Sequence, residues 1–207
     1  MHRHFSRRLL GGATTTTVKR AAFLLVAATV VVALCSAPLL AQDTSFLEVA
    51  VTYNATRSGT VPSANFWMQG GSVDIEGRFY RGLGVVEEVA GTHTANIQST
   101  GVGLDLVTSA FGPRYTWAPA HRRYEIFAHV LVGDAFGFNS VFPTPGGAID
   151  SSNSLALKMG GGMNIALSPR FALRAFQANW LRTHLPNATT NLQNNLELGA
   201  GVAFRFR

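Results

Sequence analysis

Ionisable residues recur at every second position through much of this 207-residue chain. Glu48 stands alone. Asp74, Glu76 and Arg78 form one set, and Arg123, Glu125 and His129 form another. Lys158, Arg174, Glu197 and Arg205 complete the series. Carboxylates beside guanidinium or ammonium groups can line an ion path, or they can pair and fill a polar core. His129, two positions from Phe127 and four from Glu125, could act as a general base or bind a metal. A metal site needs several converging ligands, and His93, His121 and His184 fall in a loop, a turn and another loop. A hydrogen-bonded core histidine is the simpler reading. Ser99, Ser140 and Ser151 lie in long loops, as His93 and His184 do. No local signature joins them into the nucleophile, base and acid that hydrolysis requires. No catalytic, cofactor-binding or metal-binding residue is assigned.

The spacing of these charges says what must position them. Period two is the strand signature. The end of the chain shows it best: Leu196, Leu198, Ala200, Val202, Phe204 and Phe206 share one face, and Glu197, Gly199, Gly201, Ala203, Arg205 and Arg207 the other. Seven similar segments precede it: Ser45–Tyr53, Met68–Tyr80, Gly82–Ala90, Val102–Trp117, Arg122–Gly133, Ser154–Ala166 and Phe171–Leu181. Two details do not fit simple alternation. Glu87 and Glu88 are adjacent and must face opposite ways, which places one of them near a loop. Arg174 and Gln177 are three apart, and a bulge would bring both to one face.

The connections alternate in length. Arg81-Gly82, Ala118–His121 and Leu167–Arg170 are short. Asn54–Trp67, Gly91–Gly101, Asp134–Asn153 and Arg182–Asn194 are long and rich in Gly, Pro, Ser, Thr and Asn. Sorting loops by end is the habit of transmembrane barrels, with tight turns on one side and long external loops on the other. Aromatics gather near strand ends: Tyr53, Trp67, Tyr115, Trp117, Trp180, Phe204 and Phe206.

The first 41 residues read as an export signal. Arg3, Arg7, Arg8, Lys19 and Arg20 precede or flank an apolar run over Ala21–Leu34, and Ala37–Ala41 has the small residues of a cleavage site. The leader holds five of the 17 Lys+Arg and none of the 11 Asp+Glu, so 42–207 carries 12 basic and 11 acidic residues, a net +1. With the basic excess removed, nucleic acid is not expected as a partner. Cys35 is the single cysteine and also lies in the leader. The region 42–207 therefore has no disulfide and no thiol chemistry. It has no apolar run near the roughly 20 residues of a membrane helix, so spanning a membrane requires a closed barrel.

Three stretches carry a resemblance. Phe111-Gly112-Pro113-Arg114-Tyr115 looks like the start of a central strand. Gly160–Asn164 followed by Ser168–Arg174 looks like a penultimate hairpin, and Leu198–Phe206 like a closing strand. On these, Thr44–Arg207 resembles the small OmpA-like outer-membrane β-barrel family, also described as the porin-like outer-membrane β-barrel domain. The resemblance implies an all-β, eight-stranded antiparallel up-and-down transmembrane barrel in a bacterial outer membrane. It implies outer-membrane lipid and the barrel-assembly machinery as partners. Val202, Phe204 and Phe206 would carry the assembly signal of the closing strand.

On the barrel reading, Glu48, Asp74, Glu76, Arg78, Arg123, Glu125, His129, Lys158, Arg174, Glu197 and Arg205 face the lumen. Eight strands leave an interior just wide enough for side chains. The charges are expected to pair and plug it, since unpaired buried charges are expensive. Arg78, Lys158 and Arg205 are the same-face candidates for Glu48, Glu76 and Glu197, with Glu197 and Arg205 treated as partners. A charge at luminal Ala203 is expected to be milder than one at lipid-facing Val202. Three functions follow: a structural or surface-interaction barrel acting through its external loops, with an unknown loop ligand; a narrow, gated, porin-like path for small solutes or ions; and a lipid-modifying enzyme. The first is favoured.

Overall fold

The computed structural model describes residues 46–61, 64–97, 101–187 and 190–206. The export signal, its cleavage site before Gln42, and Ser99 lie outside the described residues. Eight strands follow one another: β1 (Phe46–Val61), β2 (Ala64–Tyr80), β3 (Leu83–Thr94), β4 (Leu104–Trp117), β5 (Tyr124–Thr144), β6 (Gly147–Ala166), β7 (Phe171–Thr183) and β8 (Gln193–Phe206). Each pairs antiparallel with the next, and β8 pairs with β1 to close the barrel.

The register fixes the size of the barrel. A walk across paired residues from Phe46 runs through Arg78, Gly84, Arg114, His129, Gly160, Asn179 and Glu197. It returns to β1 at Thr56, a stagger of 56 − 46 = 10 residues. Ten residues of about 3.3 Å rise, over eight strands about 4.8 Å apart, give a tilt of roughly 40°. Such a barrel has no edge, and its lumen is filled by side chains.

Alternation sorts the faces. Val51, Val73, Val89, Val132, Leu173 and Val202 are exposed on the outside, while Glu48, Asp74, Glu76, Arg78, Lys158 and Glu197 are buried inside. A water-soluble barrel would have the reverse arrangement. An apolar outer belt over a charged core suits a hydrocarbon solvent. One end carries a dense aromatic ring. Phe79, Tyr115, Trp117, Phe171 and Phe206 are exposed there, and Phe204 packs edge-on against Phe171 and Phe206, with centroids 4.8 and 4.6 Å apart. That end has the short connections, including Arg81-Gly82, where both residues have positive φ.

The opposite end departs from the sequence reading. Segments expected to be long loops are largely strand. β1 runs on to Val61, and β5 and β6 extend to Thr144 and back to Gly147. The reason is a change of parity. Within the belt of β2, Val73 and Ile75 point outward. Beyond it, Phe66 and Met68 point inward, with Trp67 between them facing out. In β4, Phe111 and Val107 point out, but Leu106 and Leu104 point in. Outside the hydrocarbon the strands enter water, so the apolar side moves to the interior. Phe66, Met68, Leu104, Leu106, Ala135, Phe142, Ala156, Leu181 and Leu185 form an apolar cluster there, with Ile97 against it. Read as a pattern, the switch resembles a strand end.

Candidate functional site

The lumen below that cluster is the largest polar constellation. Arg174 and Gln177 both reach it because β7 bulges between them, shifting register against β6 and β8. Arg174 Nη1 donates to Gln177 Oε1 at 3.0 Å. On β6, Lys158, Gly160, Gly162 and Asn164 take successive inward positions. A Cβ on Gly162 would lie 2.8 Å from Phe127 Cζ, so the glycine leaves room for that ring. Phe127 is buried and receives the guanidinium carbons of Arg114 at 4.6 Å and Arg174 at 4.9 Å. Desolvated cations over an aromatic face are attracted by its quadrupole.

Around these residues the charges form two joined groups. Glu48 accepts from Arg205 Nε at 2.8 Å and Asn164 Nδ2 at 3.1 Å, with Arg78 and Arg174 each 3.5 Å away. Glu125 accepts from Arg205 Nη2 at 2.7 Å and Arg78 Nη1 at 3.3 Å. Glu76 accepts from Arg78 Nε at 2.8 Å and Arg114 Nη1 at 3.2 Å. Asp74 sits between Arg114, at 2.9 Å, and Arg174. In the second group Lys158 bridges Glu88 and Glu197, the latter at 2.8 Å, and Gln177 donates to Glu88 at 3.1 Å. The described network holds six carboxylates (Glu48, Asp74, Glu76, Glu88, Glu125, Glu197) and five cations (Arg78, Arg114, Lys158, Arg174, Arg205), near balance. Paired and hydrogen-bonded, they avoid most of the penalty of lone buried charge.

His129 joins the two groups. Arg114 Nε lies 3.3 Å from His129 Nδ1, and arginine can only donate, so Nδ1 is an acceptor. Nε2 then carries the hydrogen and donates to Asn179 Oδ1 at 3.0 Å. The ring is therefore neutral, and both nitrogens are engaged.

Several expectations need correction. Arg123 is exposed in the turn before β5 and not in the lumen. Arg205 bonds Glu48 and Glu125, while Glu197 bonds Lys158. The two share a face of β8 but are eight residues apart, beyond side-chain reach. Neither Glu87 nor Glu88 lies near a loop. Both are mid-strand, Glu88 inward and buried, Glu87 outward and half-buried. Arg114, Glu88 and Asn179 are network members that the sequence reading did not place in the lumen. Alternation from Tyr115 and Trp117 was the available signal for Arg114. Pro113 and Gly112 obscured it.

At the external rim, His93 Nδ1 lies 2.6 Å from Asp105 Oδ1, and Asn139 donates to the other oxygen. Asn139 holds Asp105 below the usual carboxylate range, with His93 a second lowering influence. No hydrogen bond from a hydroxyl to His93 is found among the described residues. The β5–β6 hairpin rises beyond it. Pairing of β5 with β4 ends at Phe138, and that of β6 with β7 begins at Ala156. From Phe138 to Thr144 the two strands pair only with each other over about 20 Å. Val141, Ile149 and Leu155 are exposed on it.

No family model matches this sequence, and no curated protein does. Solved structures do match. The attachment invasion locus protein Ail of Yersinia pestis aligns at TM-score 0.55 and 15% identity, over 79% of this chain and 100% of that one. Ail in complex with the heparin analogue sucrose octasulfate aligns at 0.54 and 17%, over 79% and 100%. Neisserial surface protein A aligns at 0.54 and 14%, over 78% of this chain and 97% of that one. The chain thus has the fold of the small eight-stranded outer-membrane β-barrels.

Proposed function

We propose that this protein is a bacterial outer-membrane barrel that does not conduct and acts through the surface it displays outside. One observation carries the reading: the interior is filled twice over. A paired charge network occupies the membrane-level lumen, and an apolar cluster caps it at the external end. What remains free to act is the exterior, above all the β5–β6 hairpin.

Its partner is a protein surface rather than a polyanion. Ail has been solved with a sulfated heparin analogue. Here the described external charges are Arg57 and Arg182 against Asp105, Asp134 and Asp150, which offers a polysulfate no cationic patch. The hairpin offers exposed Val141, Ile149 and Leu155 and unpaired strand edges instead. The export signal at 1–41 and assembly through the closing strand, with Val202, Phe204 and Phe206 as its signal, belong to the same proposal.

Purified protein in a planar bilayer tests it. Steady current should stay at the level of bare lipid. A stable open channel would replace this reading with solute or ion transport. A change in lipid A mass on expression would replace it with an enzyme.

A further inference from the structure

Glu87 is the one carboxyl, amine or guanidinium side chain in the apolar belt among the described residues. It lies fifth of the twelve residues of β3, about 10 Å above Leu83 in the aromatic ring at this strand tilt, near the middle of a belt about 25 Å tall. Its paired neighbours are Ile75 and Phe111, and Val85 and Val89 flank it along the strand. All four are apolar. No hydrogen bond or ion pair to Glu87 is found among the described residues. The other outward ionisable groups, Arg57, His93, Asp105, Asp134 and Arg182, sit at the external rim, where they meet water. A carboxyl at the bilayer centre is costly without a polar partner. Lipid tails supply none.

We propose that the β2–β4 face is a contact between two copies of this chain, with the Glu87 carboxyls hydrogen-bonded to each other across a two-fold axis along the bilayer normal. This rests on the membrane reading above. The argument for a second copy is depth. Chains inserted in one direction and related by such an axis bring each residue to its own equivalent at the same height. A copy is thus certain to present a polar group level with Glu87, and a carboxyl is both donor and acceptor when two share a proton. Close approach is possible on this side. Gly77 and Gly91 face open space, where a Cβ would meet nothing within 4 Å, and Ser109 is small.

The test uses the full chain in lipid nanodiscs, with single cysteines placed in a Cys35→Ser background. Val89→Cys, outward beside Glu87 on β3 and with Glu87 retained, should be joined to its own copy by a short bismaleimide. Val130→Cys, outward on β5, should not. Native mass measurement should give two copies for the wild type and for Glu87→Gln, whose amides can still pair. Glu87→Leu should weaken the pair about tenfold or more. Leucine suits a lipid-facing site, so this variant folds. A chain that inserts as a single copy overturns the inference alone, as does a pair that Glu87→Leu leaves undiminished or cysteines that cross-link equally at both positions. A chain that does not insert at all overturns the membrane reading, and this inference with it.

Discussion

Lys158 is the residue on which the upper charge group turns. Its ammonium is buried between Glu88 and Glu197, and its four-carbon stem lies on β6 while its partners come from β3 and β8. Lys158→Met leaves two carboxylates without a cation. Loss of one partner of a buried pair costs about 3–5 kcal/mol. The triple variant with Glu88→Gln and Glu197→Gln should recover a large part of that loss in urea refolding titrations into lipid vesicles. Replacing Glu197 and Arg205 together should be worse than either change alone, because they belong to different pairs. Asp105 carries a pH prediction at the water-exposed rim. Its folded pKa is depressed, so the stability it adds is present above the unfolded carboxylate value near 3.8 and is lost only as pH falls through the lower folded value. Amide protection around His93 and Asn139, corrected for the intrinsic pH dependence of exchange, should therefore hold at neutral pH and fall only in strong acid. Asp105→Asn should abolish that acid step.

At the scale of the element, β8 shows why face matters less than room. Val202 is 55% exposed and points to lipid, so Val202→Arg should cost about 2–4 kcal/mol near the midplane and less toward the interface. Ala203 points inward, and its luminal position suggests tolerance. It is instead packed with Ala50 and Ala172, each at most 1% exposed. A carboxylate there has no space and displaces three strands. Ala203→Asp should match Val202→Arg or exceed it in the same refolding titration. Alternation alone made the orientation of both residues legible. It carries no information about who sits across the lumen, which depends on the ten-residue stagger. The bulge in β7 was legible too, because Arg174 and Gln177 could not otherwise share a face.

For the whole molecule, the two closures of the lumen are independent. The charge network lies at the level of the belt, and the apolar cluster above it draws Phe142 from the protruding hairpin. Removing 140–149 and joining the strands with a tight turn takes away Phe142 and the displayed edges. The shortened barrel should still insert, and its planar-bilayer current should stay at the wild-type level, because the charged layer remains. On the proposed function, adhesion of cells expressing the shortened form to other cells should fall below that of cells expressing the wild type. A pore opened by this deletion would show that the apolar cluster alone seals the barrel.

The sequence by itself determined that strands alternate, which face of each is apolar, how many strands there are, and that charges point away from the apolar belt. These are local properties: a period-two pattern needs only neighbours along the chain. Tertiary structure decided the rest. Only closure of the barrel brought Lys158 between Glu88 and Glu197, Arg205 to Glu48, and Phe127 beneath two guanidinium groups. Partners on different strands are chosen by stagger and bulge, and neither is written in any one strand. The solvent outside each segment decided the length of the strands. Where hydrocarbon gives way to water the apolar side passes from the outside to the inside, and the same backbone continues through a pattern that, read along the chain, looks like its end.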